Sequence, residues 1–121
     1  MILKLKILST SSNILSNFVS LDVDINELKE KFNLPISSGD GKSIDNPILI
    51  EKKGSNNFVK LEYFIISHLL NINDDFDYVR NNQRLLNYKN KTIDYIKMKI
   101  TNKRKSTERF KEFYFDITKV Y

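Results

Sequence analysis

Apolar and polar residues alternate along three successive stretches in the last third of the chain. The alternation is clearest at Phe113, Phe115 and Ile117, and it is typical of strands that bury one face. Polar segments separate the three stretches, as hairpin loops do. We therefore predict an antiparallel meander with the strands Tyr78–Leu86, Thr92–Ile100 and Arg109–Thr118.

Two earlier stretches have the period of a helix. In Asn56–Leu70, the residues Phe58, Leu61, Ile65 and Leu69 share one broad apolar face, which predicts a mostly buried helix. A shorter helix is predicted to begin at Asp24, whose carboxylate can accept a hydrogen bond from an early backbone N–H. It should end near Asn33, because Pro35 disfavours a helical conformation at the residue before it.

Two further strands complete the prediction. Met1–Leu8 alternates leucine and isoleucine with lysine, and Ile48–Ile50 is a short apolar run. The expected order is β-α-β-α-β-β-β, which is an α+β arrangement rather than an alternating α/β one. At 121 residues we expect one domain, with an N-terminal segment 1–37 and a core 38–118.

A glycine-rich turn precedes the strand Ile48–Ile50, and it contains Gly39, Asp40, Gly41 and Asp45. Its Gly-Lys-Ser triplet differs from a nucleotide-binding P-loop, because Ile36 stands where the first glycine is required and a strand follows instead of a helix. We predict a structural loop, in which glycine supplies positive φ and the aspartates bond to local N–H groups.

Composition excludes several kinds of site. The chain has no cysteine and one histidine, His68, so a disulfide framework, a zinc–thiolate site and a two-histidine catalytic pair within one chain are impossible. No signal peptide or membrane span is evident, and we expect a cytoplasmic protein with no cofactor and no bound metal. A lone histidine on an apolar helix predicts a packed side chain rather than a catalyst.

Charge is distributed unevenly along the chain. The net charge is +5, and the segment from Arg80 to Lys111 has eleven basic residues against two acidic ones. This density favours an acidic protein or a nucleic acid as partner. The predicted basic binding face comprises Arg80, Arg84, Lys97, Lys99, Lys103, Arg104, Lys105, Arg109 and Lys111. A separate acidic loop, with Asp74, Asp75 and Asp77, is a second candidate contact.

Glu62 is the one carboxylate predicted inside the apolar face of the long helix. A carboxylate there must be paired, protonated or at the rim of a pocket. Paired with Asp40, Asp45 or Asp116 it could perform acid–base or metal chemistry. A structural bridge to a lysine or a backbone amide explains the same position without any catalysis.

Two stretches carry a resemblance to a group of small, uncharacterised bacterial proteins. The segment Gly39–Ile50 resembles a GDGxS[IF]xx[AP]IxI signature, and Tyr114–Thr118, with the sequence YFDIT, is similar to that group's last strand. The likeness covers about residues 38–118. It implies the same α+β order and a bacterial or phage setting, and it assigns no catalytic residue.

Three functions follow from these observations. The first is a non-catalytic protein-binding or inhibitory module, such as an immunity protein, an antitoxin or a phage-type inhibitor, and it could be a dimer. The alternative is RNA or single-stranded nucleic acid binding through the basic sheet 80–111, where aromatic residues lie between the basic ones. The third is a metal-dependent hydrolase that uses Glu62.

Overall fold

The computed structural model describes residues 24–51, 57–70 and 74–120. Within these ranges, two α-helices pack with a five-stranded mixed sheet. The α+β class and the C-terminal antiparallel meander agree with the prediction. The elements are α1 Ile25–Phe32, β1 Ile36–Ser37, β2 Ile48–Ile50, α2 Phe58–Leu70, β3 Phe76–Tyr88, β4 Lys91–Asn102, β5 Thr107–Asp116 and a 3-10 turn, Thr118–Val120.

The spatial order of the strands is β1-β2-β5-β4-β3. β2 lies antiparallel to β1 and parallel to β5, whereas β3, β4 and β5 form the antiparallel meander. Ile96 on β4 is opposite Gln83 on β3 and Phe113 on β5. This register brings residues that are distant in sequence into continuous rows across three strands.

The first helix begins and ends where the sequence predicts. The Asp24 carboxylate accepts a hydrogen bond from the Asn26 backbone N–H at 2.9 Å. Asn33 takes the left-handed conformation, with φ 51° and ψ 51°, and terminates the helix before Pro35. Asparagine tolerates this conformation better than most residues do, which explains the sharp end.

The hairpins are tighter than predicted. The turn between β3 and β4 needs only Lys89 and Asn90, both with positive φ, instead of the expected loop Asn87–Lys91. A two-residue turn of this kind matches the twist of the two flanking strands. β3 also begins two residues earlier, at Phe76, so Asp77 lies in a strand and not in an acidic loop.

The core lies between α2 and one face of the sheet. Ile65 and Ile66 of α2 are fully buried against a cluster that includes Ile96, Met98 and Phe115. The predicted helix face is rotated slightly. The side chains buried on α2 are Glu62, Ile65, Ile66 and Leu70, while Phe58, Leu61 and Leu69 are only partly buried.

The glycine loop joins the N-terminal part of the sheet to β5. Gly39 has φ +73°, and a side chain there would place its Cβ 1.9 Å from the Pro47 carbonyl oxygen. Gly41 has φ +75°, and its carbonyl accepts a hydrogen bond from the Tyr114 N–H at 2.9 Å. Only glycine fits this approach of two backbones without strain.

Some of the predicted elements cannot be compared with the structure, and one observed strand was not predicted. The predicted strand Met1–Leu8 and the predicted first residue of the long helix, Asn56, fall outside the described residues. The two-residue strand β1 was not predicted, because Ile36 and Ser37 are too few to show a period. None of the helices in the three described ranges combines the length and apolar character that a membrane span requires.

Candidate functional site

The three long strands have two different faces. We call the face packed on α2 the helix side and the opposite face the far side. Because side chains alternate along a strand, Ile96, Met98 and Ile100 point to the helix side, and Tyr95, Lys97 and Lys99 to the far side. The far side is the candidate functional site, since it displays aromatic and charged groups in ordered rows.

One row of the far side crosses all three strands at Tyr95. Arg84 of β3 and Tyr114 of β5 are its cross-strand neighbours. The Arg84 guanidinium lies over the Tyr95 ring at 5.1 Å, and the ring centres of Tyr95 and Tyr114 are 5.2 Å apart. This stacking leaves Tyr95 only 5% exposed.

The Tyr95 hydroxyl is held by a carboxylate. It donates a hydrogen bond of 2.5 Å to Glu112. Burial, followed by the hydrogen bond and the charge of Glu112, raises the pKa of Tyr95 to about 12. Burial and Glu112 also raise the pKa of Tyr114. Both phenols therefore stay protonated at neutral pH, and Tyr95 acts as a hydrogen-bond donor.

A second row is more open and more apolar. Val79, Lys99 and Phe110 are directly opposite one another on β3, β4 and β5. Val79 is 54% exposed and Phe110 is 48% exposed. The Lys97 ammonium lies 4.7 Å from the centre of the Phe110 ring, next to this row. The far side thus presents two large apolar groups to solvent, with cations between and beside them.

Acidic residues balance the bases on this face. Lys99 pairs with Glu108 at 3.7 Å, and Glu112 lies opposite Lys97. At the end of the meander, Asp77 pairs with Lys103 at 3.7 Å. These pairs are exposed, so each contributes little to stability. Their effect on recognition is larger, because they cancel the positive field that a phosphate backbone requires.

The predicted basic face is divided by the structure among three places. Strand alternation and the bulge between Arg80 and Asn82 decide the side that each base occupies. Arg84, Lys97 and Lys99 lie on the far side; Arg80, Arg109 and Lys111 lie on the helix side; Lys103, Arg104 and Lys105 form the turn between β4 and β5.

The predicted acidic segment is bound to that turn. Arg104 reaches Asp75 at 3.5 Å, and the Lys103 backbone N–H donates to the Asp75 carbonyl at 2.8 Å. Asp74 is exposed beside them. The acidic and basic candidates therefore touch each other, and they do not form two independent charged surfaces.

Glu62 is buried, as its position on the helix predicts. It is 1% exposed, and neither of its carboxyl oxygens accepts a hydrogen bond from a described residue. Its neighbour is Asp94 of β4, which is 3% exposed and accepts a 2.5 Å hydrogen bond from the Gln83 amide. Two ionised carboxylates would repel each other and could form no hydrogen bond. Protonated Glu62 can instead donate a hydrogen bond to Asp94.

Burial is the main reason that the pKa of Glu62 is raised to about 10, and the hydrogen bond and charge of Asp94 raise it further. Asp94 was not among its expected partners. The Asp40 carboxylate accepts from the Lys42 N–H, and Asp116 accepts from the Thr118 N–H and hydroxyl. Within the three described ranges, no group of three acidic or histidine side chains could hold a metal ion.

Two other candidate residues have structural contacts. Asp45 accepts a hydrogen bond from the Tyr88 hydroxyl at 2.5 Å, which is the main reason that its pKa is lowered, and it pairs with Lys89. His68 packs edge-on against Phe32, and its Nδ1 lies 2.9 Å from the Phe64 carbonyl oxygen. Asp45 therefore ties the glycine loop to the hairpin, and His68 joins α1 to α2.

Sequence reasoning missed the rows of the far side. Arg84, Tyr95 and Tyr114 are separated by up to thirty positions in the chain, and only the register of the meander brings them together. The alternation within each strand could have indicated part of these rows, because it already places Lys97 and Met98 on opposite faces of β4. Comparison of the chain with protein-family models, curated proteins and solved structures finds no match in any of the three.

Proposed function

We propose that the chain is a non-catalytic protein-binding module that contacts its partner through the far side of the meander. The observation that carries this proposal is the row Val79, Lys99 and Phe110, in which two exposed apolar side chains flank a cation. Aromatic and arginine side chains are enriched in protein interfaces, where apolar groups are surrounded by polar ones.

The rigidity of the far-side rows supports the same proposal. The rows stand on β4, a central strand that is paired along its length on both sides. Arg84 and Lys97 are already stacked on aromatic rings before any partner arrives. Less side-chain freedom is then lost on association, which favours affinity. The charged pairs around the rows would set specificity and association rate.

Nucleic-acid binding has weaker support. Stacked rings beside cations are suited to single-stranded nucleic acid. However, Glu108 and Glu112 lie among those cations, and the Tyr95 ring is too buried to stack on a base. The turn Lys103–Lys105 is the better location for a phosphate contact, although Asp75 and Asp77 already pair with two of its bases.

A hydrolase has the least support among the three. Glu62 and Asp94 are both almost completely buried, so a substrate has no access to them in this conformation. Their arrangement is that of a structural pair, in which the raised pKa of Glu62 keeps its carboxyl protonated beside Asp94. The narrower assignments, an immunity protein, an antitoxin or a phage-type inhibitor in the cytoplasm, remain part of the proposal and rest on small size and charged composition.

The test uses two double variants that are matched for exposed apolar groups. Val79→Ser with Phe110→Ser removes both groups of the far-side row. Tyr78→Ser with Leu85→Ser removes two groups of β3 that point to the helix side and are 41% and 59% exposed. Each tagged protein is used for affinity capture from a lysate of the native host, with and without nuclease.

We expect a stoichiometric protein that the wild type and the Tyr78/Leu85 variant retain after nuclease treatment, and that the Val79/Phe110 variant loses. Capture that disappears with nuclease would support nucleic-acid binding. Capture lost equally by the two variants, with both still folded by circular dichroism, would contradict an interface on the far side.

A further inference from the structure

A small cleft lies where the glycine loop meets the end of β5 and the start of β4, and we call it the loop cleft. Its volume is about 320 Å³, within the range typical of ligand sites. Pro47 and Leu49 form an apolar wall. The charged lining consists of Asp45, Lys91, Asp116 and Lys119. Acids and bases balance, so the cleft does not favour a ligand of a single charge.

Two of the charged residues already have partners of opposite sign. Asp45 pairs with Lys89 at 3.6 Å. Lys119 pairs with Glu51 at 3.1 Å. The charges of these two residues are therefore neutralised within the chain, and one acid and one base of the lining remain for a ligand.

Asp116 is the remaining acid, and one of its oxygens is free although the residue is only 6% exposed. Its Oδ1 accepts hydrogen bonds from the Thr118 backbone N–H at 3.0 Å and from the Thr118 hydroxyl at 2.6 Å. Its Oδ2 bonds to no residue in the described ranges and is accessible to solvent. Because Asp116 lines the loop cleft, Oδ2 can accept a hydrogen bond from a ligand there.

Lys91 is the remaining base, and it lies diagonally across from Asp116 on the same face of the sheet. Asp116 is directly opposite Ile93, and Lys91 precedes Ile93 by two residues on β4. Diagonal neighbours of this kind are about 7–8 Å apart. Lys91 is exposed and forms no ion pair with any residue of the described part of the chain. The loop cleft thus contains an ammonium group and a carboxylate group that do not pair with each other.

We propose that the loop cleft binds a small zwitterion of the size of an amino acid. The ligand's ammonium group donates to Asp116 Oδ2, and its carboxylate accepts from the Lys91 ammonium group. Hydrogen bonds between such charged groups are about 2.7–2.9 Å long, so an α- or β-amino acid can bridge the two side chains. The apolar wall of Pro47 and Leu49 accommodates the carbon chain of the ligand. This site is separate from the far-side row and does not depend on the protein-binding proposal.

The test is an NMR titration of the full chain with L-alanine and β-alanine as probes. The Thr118 and Thr92 amides are the reporters, because the first donates to Asp116 and the second donates to the Thr118 hydroxyl at 2.9 Å. The Lys105 amide, in the turn at the opposite end of the meander, is the internal control. We expect at least one probe to shift both reporters in a saturable manner and to leave Lys105 unchanged. No saturable shift with either probe would overturn the site.

Ethylamine and propionate separate the two charges, because each carries only one of the charged groups of these amino acids. Each should bind at least about tenfold more weakly than the tighter amino acid, since one charge-assisted hydrogen bond is lost. Propionate that binds as tightly as the amino acid would indicate a site for anions only. Equal binding of ethylamine would indicate a site for cations only. Either result would overturn the assignment of a zwitterion.

Variants assign each charge to its residue. Asp116→Asn keeps an oxygen that can accept both bonds from Thr118, and it removes the charge. It should weaken amino-acid binding at least about tenfold without weakening that of propionate. Lys91→Gln, at an exposed position, should weaken amino-acid binding by a similar factor without weakening that of ethylamine. Lys105→Gln is the matched control and should change neither affinity. Undiminished amino-acid binding by a folded Lys91→Gln variant would overturn the proposal, even if Asp116→Asn fails to fold.

Discussion

The two faces of the meander are built from the same three strands and have opposite characters. On the helix side, Ile96 and Phe115 are at most 1% exposed beneath α2. On the far side, Val79 and Phe110 are about half exposed, and cations lie over aromatic rings. Strand pairing is shared by the two faces, so the difference arises from the helix that covers one of them.

The two faces differ in whether their side chains contribute to stability or to recognition. A residue on the helix side contributes through burial and close packing, which scale with the area removed from water. An exposed residue on the far side, such as Val79 or Phe110, contributes little to folding and is accessible to a partner, whereas Tyr95 on the same face is buried. Substitutions on the two faces should therefore differ in their effect on the free energy of unfolding.

The largest contrast is expected between two phenylalanines of β5. Phe115→Ala should lower the free energy of unfolding by about 3–5 kcal/mol, because it leaves a cavity in the core. Phe110→Ala should lower it by no more than about 1 kcal/mol, because the ring is 48% exposed. Urea unfolding of both variants measures the difference. Similar losses would show that the far side also belongs to the folding core.

Glu62 gives the helix side a characteristic pH dependence. Its pKa is 4.5 in the unfolded chain and about 10 in the folded protein, so the folded state binds the extra proton between these values. The contribution of Glu62 is fully present below pH 4.5 and is lost as pH rises toward 10, with a limiting slope of about 1.4 kcal/mol per pH unit.

Glu62→Gln should remove this dependence while keeping a neutral side chain that can donate to Asp94. The variant should match the wild type near pH 4.5 and become progressively more stable than it toward pH 9. Urea unfolding across this range is the measurement, and Glu30→Gln, on the exposed surface of α1, is the control. If the free energies of unfolding of the wild type and of Glu62→Gln changed in parallel with pH, Glu62 would be ionised in the folded protein.

The smallest effect concerns the stacking of Arg84 on Tyr95. Arg84→Gln should cost about 0.5–1 kcal/mol, the usual contribution of a cation over an aromatic ring. Arg80→Gln is the matched control, because Arg80 lies on the helix side of the same strand. Thermal unfolding compares the two. A larger loss for Arg80→Gln would contradict the view that the far-side rows are preassembled.

Much of the fold could be predicted from sequence, because its signals are local. The alternation at Ile96, Met98 and Ile100 and the helical projection of Glu62 required only neighbouring residues. The partner of Glu62 could not be predicted, since Asp94 reaches it only through the docking of α2 on β4. Sequence density groups the basic residues together, whereas strand alternation, a bulge and the turn between β4 and β5 divide them among two faces and that turn.

The measurement that tests the central claim most directly is hydroxyl-radical footprinting of the complex with the captured partner. Phe110 on the far side and Tyr78 on the helix side are similarly exposed, at 48% and 41%, and both react with the radical. We predict that the partner suppresses oxidation of Phe110 and leaves that of Tyr78 unchanged. Protection of Tyr78 with continued oxidation of Phe110 would place the interface on the helix side and contradict the account.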